Sequence, residues 1–215
     1  MNEQKPGNIS LLGEYDIEYA VSCAKSVLLG GGVVLTPTDT IYGLVCLPSS
    51  SQAIETIYEM KQRPLDRRLP VIVADLVQAE EELPLVWCAA ALSLAIAFWP
   101  GAVTIACGVR NNAEGWLHGR DEAAIRAPDH LFIQTLARQL GPLLMTSANR
   151  HGQDTPHTMA GALDSLAIPP QLALDGGLLS GAPSTIVNVN LPTPVVERAG
   201  TIPTSEIERV LYDAK

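Results

Sequence analysis

Hydroxyl, guanidinium and amide side chains recur where short apolar runs of this 215-residue chain end. They are Thr38-Asp39-Thr40, Arg126, Thr146-Ser147-Ala148-Asn149, Ser184-Thr185 and Arg198. A separate cationic group, Lys61, Arg63, Arg67 and Arg68, falls within eight positions and is opposed only by Asp66. The set holds no cysteine–histidine pair and no carboxylate dyad, so it suits binding and charge stabilisation of anions better than acid–base hydrolysis. Each cluster by itself also reads as an ordinary turn or cap. The basic run reads either as a cleft that focuses anionic ligands or as a solvated loop.

The runs between these clusters supply a frame. Ile17, Ala20, Val21, Ala24, Val27 and Leu28 repeat at helical spacing, and the glycines at 30–32 stop that helix. Strands are expected over 33–36, 69–74, 103–107, 123–127, 143–146, 172–174, 185–189 and 195–198. Helices are expected over 53–61, 89–98, 131–140, 156–166 and 205–211, with Pro156 in a first turn and Thr204 as a cap. Strict strand–helix alternation fails near 185–198, where two strands sit close enough to pair antiparallel. Intermingled strands and helices point to a single α/β domain with a mixed, twisted sheet. In such sheets ligands bind at strand ends, where the polar clusters stand.

With 47% hydrophobic and 17% charged residues, the chain is not a disordered one. Its net charge of −9 argues against a surface that grips nucleic acid all over. Cys23, Cys46, Cys88 and Cys107 lie far apart among apolar neighbours and read as buried free thiols in a reducing compartment. The N-terminus lacks the apolar core of a signal peptide, and the apolar stretch at 86–99 is too short to span a bilayer. A cytoplasmic protein without a membrane partner is the expectation.

The common phosphate-binding signatures are missing: no G-x-x-x-x-G-K-[ST], no G-x-G-x-x-G and no kinase set. An ATP site here would have to use side-chain cations and turn hydroxyls. Taken in order, the polar stretches resemble the YrdC-like family, the threonylcarbamoyl-AMP synthases. GGVVLTPTDTIYGL at 31–44 is similar to that family's P-T-[DE]-T-x-Y-G-L segment, and KQRPLDRRL at 61–69 to its K-x-R-P-x-x-[KN]-P-L stretch. WPGAVT at 99–104, AIRAP at 124–128, TSAN at 146–149, STIVNV at 184–189 and ERAG at 197–200 follow in the family's order. Arg68 departs from a usual Pro or Gly, Ala102 from a Pro, and His151-Gly152 from Leu-Ser-Gly.

The resemblance implies a YrdC-like domain over 15–212 behind an N-terminal extension at 1–14, with a mixed parallel and antiparallel sheet flanked by helices. It implies a nucleotidyltransferase that forms threonylcarbamoyl-AMP and pyrophosphate from L-threonine, bicarbonate and ATP. The product would pass to a complex that transfers the threonylcarbamoyl group to tRNA. By motif, Lys61 and Arg63 become the catalytic phosphate contacts, with Arg67 beside them. Thr38, Arg126, Thr146 and Ser184 would hold threonine, and Ser147, Asn149 and Arg198 the nucleotide. Magnesium would arrive with ATP, with no metal ligands of the protein's own. Because Pro64 follows, Lys61 and Arg63 are expected in an extended segment that turns both to one side. The alternative is a non-catalytic family member that binds tRNA or double-stranded RNA.

Overall fold

The computed structural model describes residues 7–11, 17–64 and 68–213. In chain order the first elements are β1 (Gly7–Ser10), α1 (Ile17–Leu29), β2 (Val34–Thr36), β3 (Gly43–Cys46), α2 (Ser51–Lys61), β4 (Val71–Ile72), α3 (Leu76–Glu82), α4 (Ala89–Phe98) and β5 (Val103–Gly108). Then come β6 (Glu122–Arg126), α5 (Leu131–Leu140), β7 (Leu143–Ser147), α6 (Met159–Ser165), β8 (Leu172–Asp175), β9 (Thr185–Asn188), β10 (Val195–Arg198) and α7 (Thr204–Asp213). The class is α/β with mixed parallel and antiparallel strands, as expected. No helix among the described residues is long and apolar enough to cross a membrane.

Packing divides the chain into two compact units, Met1–Leu69 with Leu143–Gly181, and Pro70–Pro142 with Ala182–Lys215. In the first, the strand order is β1-β8-β2-β3-β7. There β8 pairs parallel with β1 and β2, and β3 runs antiparallel to β2 and β7. Its core is built on Leu28, Leu35, Tyr42, Leu44, Ile57 and Met60, all fully buried. In the second the order is β4-β6-β5-β9-β10. Here β4–β6 and β5–β9 are parallel while β5–β6 and β9–β10 are antiparallel. Leu85, Leu94, Ile105, Ile133 and Leu136 are fully buried in it.

Local chemistry explains the boundaries. Ser50 caps α2 by accepting from Ala53 N at 3.1 Å, and Asp75 caps α3 by accepting from Gln78 N at 3.0 Å. Such caps satisfy backbone donors that a helix start leaves open. Helix α6 starts later than expected, because Thr158, not Pro156, accepts from Gly161 N and sets the first turn. Thr204 is the first residue of α7 rather than its cap.

Several elements have no counterpart in the sequence reading. The expected strand over 69–74 shrinks to Val71–Ile72, and its last residues become the approach to α3. Strand β3, over Gly43–Cys46, is not among the expected strands. A side chain at Gly43 would collide with the end of Met145 and come within 3.1 Å of Thr146 O, so glycine lets β3 lie against β7 without displacing Met145. Gly7–Ser10, within the stretch read as an N-terminal extension, pairs with Leu172–Asp175. Cys46 and Cys107 are buried as expected, but Cys23 and Cys88 are partly exposed.

Candidate active site

The basic pair sits where α2 ends. Gln62 takes left-handed backbone angles (φ 49°, ψ 46°), and Arg63 N donates to Tyr58 O at 3.0 Å. The chain therefore hooks back at a left-handed cap instead of extending. That corrects the expected extended segment: the two cations reach β7 by different routes.

Lys61 is only 2% exposed. Its Nζ donates to Ser147 O at 2.5 Å, Asn149 O at 2.6 Å and Asn149 Oδ1 at 3.2 Å, one acceptor for each ammonium hydrogen. Ser147 Oγ donates to the same Oδ1 at 2.6 Å, and Asn149 Nδ2 donates to Arg150 O and Gln153 O. His151 N closes the ring on Lys61 O at 2.8 Å. Burial, followed by the charge of Arg63, pulls the ammonium from 10.5 down to about 7. Lys61 thus builds the Thr146–Asn149 turn, and meeting a phosphate would mean giving up one of these bonds.

Arg63 is half-buried and more open to a ligand. Its guanidinium donates to Thr146 Oγ1 at 3.3 Å and to Arg68 O at 3.2 Å. Arg67 lies outside the described residues.

In the same unit, the Thr38 hydroxyl organises its own turn. It accepts from Thr40 N and Ile41 N, each at 3.1 Å, and donates to Ile41 O at 2.7 Å. Tyr42 follows, fully buried, its hydroxyl donating to Gly177 O at 2.7 Å and accepting from Gly176 N at 3.0 Å. Burial lifts that phenol to about 12, so it stays a neutral strut between the Thr38 turn and the loop after β8.

The second unit gathers the remaining residues on one side of its sheet. Ile105 faces Ile125 and Thr104 faces Ile186. Side chains alternate along strands, so Thr104, Arg126 and Ser184 share a side. Thr104 Oγ1 and Ser184 Oγ are bonded at 2.7 Å, both buried. Arg198 forks onto Ser184 O through Nε at 3.1 Å and NH2 at 2.8 Å, and NH2 also reaches Ser184 Oγ at 3.2 Å. Arg126, 7% exposed, donates from Nε to Gly101 O at 2.9 Å. Partial burial and the nearby charge of Arg126 lower the Arg198 pKa. Two guanidinium groups near one another, anchored by main-chain carbonyls and flanked by hydroxyls, form a place that gains from an anion.

The structure thus assembles Lys61, Arg63, Thr146, Ser147 and Asn149 in one unit, which also holds Thr38, and Arg126, Ser184 and Arg198 in the other. Thr104 and Tyr42 were missed as site residues. Each offered a signal: Thr104 is the lone polar residue of an apolar strand, and Tyr42 stands inside the P-T-D-T-I-Y-G-L segment.

An α/β frame whose cations and hydroxyls are fixed by main-chain bonds defines a protein built to bind anions. The chain belongs to the Sua5/YciO/YrdC family, whose model, described as telomere recombination, matches residues 26–200. A Pseudomonas aeruginosa protein named threonylcarbamoyl-AMP synthase is 33% identical over 144 residues, covering 65% of this chain and 76% of its own. A Stenotrophomonas maltophilia protein of the same name is 33% identical over 181 residues, covering 83% and 93%. The crystal structure of P. abyssi Sua5 complexed with L-threonine superposes with a TM-score of 0.84 at 28% identity. That match covers 96% of this chain and 61% of the P. abyssi chain, so this chain spans about three fifths of its length.

Proposed function

We propose that this chain is an L-threonylcarbamoyladenylate synthase, a nucleotidyltransferase that works on L-threonine, bicarbonate and ATP. The observation that carries this reading is the anchored cation–hydroxyl group of Arg126, Ser184, Thr104 and Arg198, in a chain whose relatives bear the synthase name. The threonine complex of P. abyssi Sua5 supports the amino acid as one substrate.

In this reading the threonine amine bonds to the carbon of bicarbonate, and water leaves to give a carbamate. A carbamate oxygen then attacks the α-phosphorus of ATP. The bond from that phosphorus to the bridging oxygen breaks, and pyrophosphate departs. The carbamate is already an oxygen nucleophile, so the protein need not supply a strong base. Its task is to neutralise phosphate charge and hold the reactants in line.

Arg63 is the first phosphate contact, while Lys61 shapes the turn that offers Ser147 and Asn149 to the nucleotide. Arg126 pairs with the threonine carboxylate, helped by Ser184, and Thr38 and Thr146 carry the threonine role that their motifs imply. Arg198 serves the nucleotide side, a role the motif also implies for Arg67. Magnesium comes with ATP and binds mainly through phosphate oxygens. The product would pass to a complex that modifies tRNA.

The test is pyrophosphate release by the purified protein. The expected release depends on both threonine and bicarbonate. Release that ignores either one, or RNA binding without any release, would replace this reading.

A further inference from the structure

The ladder between β9 and β10 is broken once. Val195 faces Asn188 and Val196 faces Val187, but the next pair is Arg198 with Ile186, so Glu197 is an extra residue. In an unbroken ladder Glu197 would face Ile186, and Arg198 would turn to the opposite side of the sheet. The bulge is what brings its guanidinium to the side of Ser184, where it makes three bonds. Re-aiming a side chain is a common use of such bulges.

A buried amide holds the extra residue. Asn188, 5% exposed, donates from Nδ2 to Glu197 Oε1 at 2.7 Å and to Glu122 Oε2 at 2.8 Å. Its Oδ1 accepts from Asn190 N at 2.9 Å. One side chain thus ties β6, β9 and β10 together. Both of its outer partners are carboxylates, so the position needs two N–H donors, which an amide has and a carboxylate lacks.

We propose that Asn188 is a positioning residue for Arg198: by holding Glu197 out of register, it decides which side of β10 the guanidinium faces. The kinetic part rests on the nucleotide-side role given to Arg198 above; the geometric part does not.

The experiment compares Asn188→Asp, Glu197→Ala, Arg198→Ala and the double variant Asn188→Asp/Arg198→Ala, with KM for ATP and for threonine measured separately. Asn188→Asp should raise the ATP KM on the order of tenfold, since small misplacements of a binding group are costly. The threonine KM should stay near its original value. Glu197→Ala, which buries no new charge, should give a weaker form of the same pattern. Changing Glu197 to Gln beside Asn188→Asp again sets a donor against an acceptor and should recover part of the loss. On an Arg198→Ala background Asn188→Asp should add nothing, because coupled residues are not additive. Equal losses for both substrates, or a full extra loss on that background, would mean a merely structural role and overturn the proposal. An Arg198→Ala variant with unchanged ATP KM would instead overturn the nucleotide role. Cross-strand NMR contacts read the geometry directly: loss of the Arg198–Ile186 pairing in Asn188→Asp is expected. Its retention overturns the proposal whatever the kinetics show.

Discussion

Lys61 and Asn149 are bonded twice, the buried ammonium of one donating to both the carbonyl oxygen and Oδ1 of the other at 2.6 and 3.2 Å. The last residue of α2 is thereby locked to the turn that follows β7, within one compact unit. A side chain used in this way fixes the end of the helix and the turn together.

Its removal should separate it from its neighbour. Lys61→Ala leaves buried acceptors unpaired, each costing about 1–3 kcal/mol. Arg63 is half-buried where Lys61 is wholly buried, so truncating it opens a gap that water can reach. Lys61→Ala is expected to lower the melting temperature clearly and to abolish pyrophosphate release. Arg63→Ala should melt close to the original protein and still lose most of its turnover. Thermal melting and threonine-dependent release, run side by side, check this; equal melting of the two variants would contradict it.

The same ammonium sets a pH dependence. Its folded pKa is about 7 against an ordinary 10.5. Between those values the unfolded chain binds a proton that the folded chain releases, so this contribution to stability grows as pH rises above about 7. Cys46 and Cys107, raised by burial from 9.0 to about 12, and Tyr42, raised from 10.0 to about 12, act oppositely. Their contributions are full below the unfolded values and lost as pH climbs toward the folded ones. Urea midpoints should therefore rise from pH 7 to about 9 and then fall. Lys61→Met should flatten the rising limb, and a limb that survives in Lys61→Met would remove Lys61 as its source.

Arg126 should read the carboxylate of threonine. A charge-assisted contact of this kind is worth roughly 1.5–3 kcal/mol, about ten- to a hundredfold in affinity. Calorimetric titration of Arg126→Ala should show that loss for threonine and a much smaller one for ATP. Equal losses, or none for threonine, would sink the assignment.

Gly200, just beyond β10, lies against the main chain that carries Ser184. A side chain there would strike Pro183 O and stand 2.5 Å from Ser184 C and 2.6 Å from Thr185 N. Gly200→Ala must push that backbone away, and with it the carbonyl that holds Arg198. The expected result is a lower melting temperature and a raised ATP KM. Gly43→Ala should be milder, since its nearest obstacle is the flexible end of Met145. An unchanged ATP KM in Gly200→Ala would show that Ser184 tolerates displacement.

Much of this was legible in the residues. Apolar spacing located α1 and α5, and Pro100-Gly101 marked the end of α4. The order of the motifs pointed to the family and to the residues that each unit gathers. What stayed hidden depends on contacts distant in sequence. The value of Gly43 lies in the approach of Met145 and Thr146, about a hundred residues away, so nothing local marks it as a strand residue. The left-handed Gln62 carries no glycine to announce it. The bulge at Glu197 depends on its pairing with Asn188, and alternation within β10 itself contains no trace of it.

The most direct measurement is mass spectrometry of the reaction product. Purified protein is incubated with ATP, magnesium, L-threonine and isotope-labelled bicarbonate, then quenched cold because the product is labile. Threonylcarbamoyl-AMP carrying the label in its carbamoyl carbon is expected, and it should vanish when any one of the three substrates is withheld. Pyrophosphate released without that labelled adduct, or no adduct from well-folded protein, would contradict the proposed synthase activity.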